Sequence, residues 1–202
     1  MDVKISFLKK IHQYYPIGMP ELEDKYPGIL EIRNLVNQKI IELEQENSVW
    51  NILVAELKAS LVNYRVINYV HFFPSYCILI EIEPYCYDKE TSSEICVIVS
   101  LLTKHYTIFK QDIHVDGHVK TVVSFESIKY DHSEILKSVE SGIKSHYFDY
   151  EFVSHALLFN TKVYGGYPYH GNDCKTIDKP SSVFDYLFSY HLCNYEIVSV
   201  EK

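Results

Sequence analysis

Apolar residues in the first third of this chain recur at helical spacing, and those of the middle third alternate. Val36, Ile40, Leu43, Trp50, Val54, Leu57 and Leu61 fall on a 4-3 register, which lines them along one face of a helix. Asn47 is the only polar member, and no Gly or Pro lies near it. The spacing therefore predicts one continuous helix over 29–62 that buries Trp50. Two other readings share that register. One is a two-helix hairpin breaking at Asn47-Ser48, with Ser48 capping the second helix. The other is a parallel coiled-coil dimer. Ile32, Leu35, Ile41, Ile52 and Leu53 widen the stripe beyond a two-position seam, and a wide stripe suits a helix lying on a sheet.

After Leu61 the period shifts from 3.6 to 2. Val66–Phe73 reads as a strand ending at Pro74. Residues 77–83 put Ile78, Ile80 and Ile82 on the core face and Glu81 and Glu83 on the other. Residues 88–93 form a polar turn. Residues 95–102 are apolar on both faces, as a central strand covered on both sides should be. Strands over 104–109 and 119–125 continue the meander, joined by a polar turn at 114–118. His132–Tyr147 reads as a helix capped by Ser133 or Asp131, with Ile135, Leu136, Val139 and Ile143 inward. A further strand over 150–163, a Gly/Tyr/Pro-rich loop over 164–180, a short helix over 181–190 and a terminal strand over 195–200 complete the chain. Ahead of all this, residues 2–13 form a short helix, followed by a proline-rich arm over 14–28. The fold class is α+β: an antiparallel sheet of five to seven strands packed on a long N-terminal helix. One domain is expected over 1–202, helical over 1–62 and sheet-rich over 63–202.

Composition changes this picture in two respects. The net charge of −8 disfavours nucleic acid or an anionic membrane as partner and favours a basic protein. The 18 tyrosines supply amphipathic rings suited equally to half-buried sheet faces and to contact surfaces. Charges interrupt the apolar run of residues 1–10, so no signal peptide is read there. No stretch is long enough to span a bilayer. Five cysteines without CxxC spacing read as reduced thiols, and the expected location is the cytoplasm.

Candidate chemistry is sparse. His114-Val-Asp-Gly-His118 places His, Asp and His at alternate positions, the start of a metal site, but without a third protein ligand nearby; Asp-Gly is also an ordinary hairpin turn. His170-Gly-Asn-Asp-Cys174 puts a thiol near a histidine in a loop, without a motif that orients a base. No cofactor signature occurs, and no catalytic or metal-binding residue is assigned. The 77–94 hairpin sets Glu81, Glu83, Asp88, Glu90 and Glu94 against Lys89 alone, interleaved with Tyr85 and Tyr87. Charges beside rigid aromatics have the composition of a recognition surface. Glu81, Glu83, Tyr85, Tyr87, Asp88 and Glu90, with Tyr164, Tyr167, Tyr169 and Asp173 of the late loop, are the expected partner-binding residues.

The strand Val119–Phe125, the helix Ser133–Tyr147, the segment His155-Ala-Leu-Leu-Phe159 and the Gly/Tyr loop closed by Ser181-Ser-Val-Phe-Asp-Tyr-Leu-Phe188 together resemble the immunity proteins of bacterial polymorphic-toxin and contact-dependent inhibition systems. That resemblance implies a non-enzymatic inhibitor that binds a cognate toxin domain tightly inside the cell. The acidic balance suits a basic toxin, and the chain is expected to be a monomer or homodimer. It transfers no individual residue. Two other classes remain: a small thiol- or metal-dependent hydrolase using the 164–174 loop, and a structural domain dimerising through the long helix.

Overall fold

The computed structural model describes residues 3–19, 25–86, 90–115, 119–124, 132–169, 180–188 and 195–197. Helix α1 (Val3–Tyr14) buries Phe7, Ile11 and Tyr14, which are spaced for one face. Helix α2 (Pro27–Leu43) opens on a proline, whose fixed φ and missing N–H suit a first helical position. Its second residue is Gly28 because the C-terminal turn of α1 lies against it. A Cβ there would stand 2.4 Å from the Gln13 carbonyl oxygen and from Tyr14 Cα.

The expected continuous helix over 29–62 is not formed. Helix α2 ends at Leu43, and helix α3 (Val49–Ser60) starts afresh after a turn. Ser48 caps it by accepting from the Asn51 amide at 3.2 Å. The Asn51 side chain closes the turn by donating to the Leu43 and Gln45 carbonyls at 3.0 and 2.8 Å. Asn47, the polar interruption, is exposed at the turn itself. The physical reason is that the two halves of the register serve different cores. Ile29, Ile32 and Val36 join one buried cluster, while Trp50, Leu53, Val54, Leu57 and Leu61 join another. Ile41 and Ile52, which widened the stripe, are exposed.

The two clusters lie on opposite faces of one sheet. Its strands are β1 (Arg65–Asn68), β2 (Ser75–Cys86), β3 (Thr91–Ser100), β4 (His105–Val115) and β5 (Val119–Ser124), with β6 (Glu151–Phe152) and β9 (Tyr195–Ile197) completing it. Order runs β1-β2-β3-β4-β5-β9, and β6 pairs with β4 at the end that β5 leaves free. The first four strand pairs are antiparallel, as the meander predicts; β6 on β4 and β9 on β5 are parallel. Alternation along β2 and β3 sends Ile78, Ile80, Ile95, Val97 and Val99 to α3 and to helix α4 (Ser133–His146). Cys77, Leu79, Cys96 and Ile98 go to the face covered by α1, α2 and two further helices. The sheet is thus covered on both sides, as the doubly apolar 95–102 run requires.

Helix α4 buries Ile135, Val139 and Ile143 as expected, but His132 is its N-cap and makes no side-chain capping bond. Ser133 is the first helical residue, and Asp131 lies outside the described residues. The expected strand over 150–163 breaks into β6, helix α5 (His155–Asn160) and β7 (Lys162–Val163). His155, Leu158 and Phe159 face inward at helical spacing; a short segment apolar on all sides fits either period. Strand β8 (Ser181–Ser182) pairs with β7 and leads into helix α6 (Val183–Leu187), which a Ser182–Asp185 capping box opens. Among the described residues, no helix is long and apolar enough to cross a membrane.

Candidate binding surface

One end of the sheet is built from the β1–β2 loop, the β3–β4 turn, the α2–α3 turn and the segment after α4. The β1–β2 loop, 69–74, is held from inside. Lys39 reaches it from α2 and is 2% exposed. Its Nζ donates to the carbonyls of His71, Phe73 and Ser75 at 2.5, 2.8 and 3.0 Å. Burial lowers the Lys39 ammonium to about 8, and the three carbonyl dipoles act against that loss of charge. Within the loop, the Phe73 amide donates to His71 Nδ1 at 3.1 Å, so in the neutral ring the proton sits on Nε2. Among the described residues, that buried Nε2 has no hydrogen-bond partner. Burial first, and the Lys39 charge second, push His71 down to about 3. Bonds from the Tyr69 amide to the Cys77 carbonyl and from the Leu101 amide to the Pro74 carbonyl, both 3.0 Å, fasten the loop to β2 and to the β3–β4 turn.

While its backbone is fixed, Tyr69, Val70 and Phe72 face out, whereas Phe73 is half-buried and Pro74 buried. Phe72 is 72% exposed and Val70 56%, with Tyr69 beside them. An aromatic column supports the same end from below. Trp50 stacks on Tyr76 with ring centroids 4.6 Å apart and meets the edge of Tyr147, which meets Tyr150. Trp50 Nε1 donates to Asn68 Oδ1 at 2.9 Å, and the Tyr76 hydroxyl donates to Glu42 at 2.5 Å. Next to Tyr147, Phe148 is 85% exposed, and Asp149 is bonded to Lys104 of the β3–β4 turn. Exposed aromatics on constrained loops supply contact area with little rotamer or backbone entropy left to lose, the physical profile of interface anchors.

The residues expected to bind a partner lie elsewhere. Glu81 lies midway along β2, and Glu83 and Glu90 lie toward its far end, roughly 20–35 Å from Ser75 along the strand. Glu81 is half-buried and faces Arg65 at 3.6 Å, whereas Glu83 and Glu90 are exposed. Glu90 takes a left-handed φ of 50° as the chain turns into β3. In the late loop, Tyr164 is exposed, and Tyr167 and Tyr169 are half-buried, Tyr169 against the α1–α2 core. Gly165, in a left-handed conformation, accepts from the Gly18 amide and ties this loop to the turn after α1. No hydrogen bond or ion pair among the described residues joins the two segments. Tyr87, Asp88 and Asp173 lie outside the described residues, as does the side chain of Tyr85.

Of the metal candidate, His114 is half-buried at the end of β4, and Asp116 and His118 lie outside the described residues, as do His170 and Cys174. Among the described residues no three metal-ligating side chains gather. Cys77 and Cys96 are buried, and burial pushes both thiols well up, away from nucleophilic use. A groove of about 370 Å³ between α3 and α4 is lined by Glu56, Ser60, Lys137, Ser138, Ser141 and Ser145. It is shallow because the helices nearly touch beneath it: a Cβ on Gly142 would stand 2.6 Å from Leu53 Cδ1.

Sequence reasoning passed over Phe72 and Phe148 because it assigned their neighbours to a strand and a helix. The usable signal was Tyr69-Val-His-Phe-Phe-Pro74, an apolar run longer than the strand needs. Set against known protein families, curated proteins and solved structures, the chain matches none.

Proposed function

We propose that this chain is a non-enzymatic protein-binding domain, and in concrete form an immunity protein that binds and neutralises a toxin domain in the cytoplasm. The observation that carries this reading is the set of exposed side chains Tyr69, Val70 and Phe72, standing on a loop whose backbone Lys39 holds from inside, with Phe148 exposed on the segment after α4. Such anchors dominate binding energy when a partner desolvates them. The net charge of −8 favours a basic partner and fast encounter. The exposed acids Glu83 and Glu90 belong to this proposal as the charges that steer association, and Tyr164 as an exposed ring available for contact.

The test is co-expression with the toxin domain encoded by a neighbouring gene, scored by growth rescue, followed by binding kinetics at two ionic strengths. Phe72→Ala is expected to speed dissociation at a cost of about 2 kcal/mol. Neutralising Glu83 and Glu90 together should slow association and flatten its salt dependence. Failure of the wild-type chain to restore growth overturns the toxin-neutralising reading. Unchanged dissociation in Phe72→Ala moves the anchor off this loop.

A further inference from the structure

The carbonyls of His71, Phe73 and Ser75 belong to alternate residues of a segment that bends at 72–74 before entering β2. All three converge on a single buried point, 2.5, 2.8 and 3.0 Å from Lys39 Nζ. An ammonium has three N–H donors and no acceptor, so three carbonyls satisfy it completely. Pro74, inside the same run, contributes no N–H that would compete for these acceptors. Convergent backbone carbonyls replacing the hydration of a compact cation are the coordination chemistry of a monovalent-ion site. Here the cation arrives on a side chain.

We propose that these three carbonyls form a preorganised cation cage, specific for a primary ammonium, whose resident ligand is the chain's own Lys39. The occupied cage sets the conformation of the loop that displays Tyr69, Val70 and Phe72. Part of this inference, the role in recognition, rests on the binding function proposed above; the cage itself does not.

Lys39→Ala removes the ammonium and leaves a channel with the length of the missing Cγ–Nζ chain, which n-propylammonium matches. The amide of Tyr69 and that of Phe73 should exchange with solvent on the order of 100-fold faster in Lys39→Ala, while amides of Ile95–Val99 keep their protection. Adding n-propylammonium chloride should restore the slow exchange; tetramethylammonium chloride at equal concentration, which has no N–H to donate, should not. Unchanged loop exchange in the variant, or loosening that propylammonium fails to reverse, overturns the cage. Should the variant not fold, the native chain still decides. Lys39 should resist reductive methylation under conditions that modify exposed lysines such as Lys58, and modification at an equal rate overturns the proposal. If the cage passes while Lys39→Ala binds the toxin domain like wild type, the cage stands and the loop leaves the binding face.

Discussion

Replacing Trp50 by Ala tests the packing that supports the proposed binding end. The side chain is 1% exposed, and burial of an indole removes roughly 150–250 Å² from water. Truncation of a fully buried aromatic costs about 3–5 kcal/mol, with the spread set by how far the site collapses. Collapse is resisted here because both ring partners are themselves held: Tyr76 by Glu42 at 2.5 Å, and Tyr147 by its edge contact with Tyr150 at 5.2 Å. The loss also strands Asn68 Oδ1, which accepts from Trp50 Nε1 at 2.9 Å, adding about 1 kcal/mol. The expected total lies near the top of that range, about 5 kcal/mol. Trp50→Phe separates the parts, since it keeps most of the stack and removes the N–H; it should lose only about 1–2 kcal/mol. Urea unfolding followed by far-UV circular dichroism is the assay, because Trp50 is the only tryptophan and its fluorescence disappears with it. A loss below about 2 kcal/mol in Trp50→Ala would refute the reasoning, by showing that the column is not a packed unit.

Two further outcomes follow from named contacts. Ser48→Ala should lose about 1 kcal/mol, the usual value of an N-cap, read from the urea midpoint; an unchanged midpoint means that Asn51 alone holds the α2–α3 turn. His71 and His155 are depressed from the ordinary 6.5 to about 3 and about 4, chiefly by burial. Both are neutral when folded and take up protons on unfolding, so the stability they hold is complete above pH 6.5 and falls as pH drops toward 4. The slope should approach about 1.4 kcal/mol per pH unit for each histidine, and His71→Gln should flatten it in urea titrations between pH 7 and 4.5. An unaltered slope would mean that other groups govern the acid limb.

How much of this was legible in the sequence depended on whether one period identified one environment. Strand β3 was readable because apolar residues at both parities leave no solvent face, and Ile95–Val99 are indeed buried. Helix α4 was readable because Ile135, Val139 and Ile143 fix a single stripe. The 29–62 segment misled because a helical register reports spacing, not which core each residue joins. Val36 and Trp50 stay in phase while packing on opposite faces of the sheet. The discriminating residues were Asn47, Ser48 and Asn51, whose side chains prefer to bond backbone at helix ends. The proposed binding end was less legible still. Lys39 sits in an ordinary polar position of α2, and nothing local announces that it reaches carbonyls more than thirty residues away.

The parallel pairing of β9 with β5 has a consequence for how the chain emerges during synthesis. Thr121 pairs with Tyr195, and Val123 with Ile197. Among the described residues, every other strand of the sheet is made before helix α5 has been translated, yet the outer edge of β5 stays open until residues 195–197 have been added. At about 5–20 residues per second, that edge waits several seconds while its inner side is already paired with β4. An open strand edge is a template for pairing with another nascent chain. Polysomes carrying this message therefore hold neighbouring copies at their most adhesive moment, and slowing translation between codons 125 and 195 should lower soluble yield without altering the finished protein.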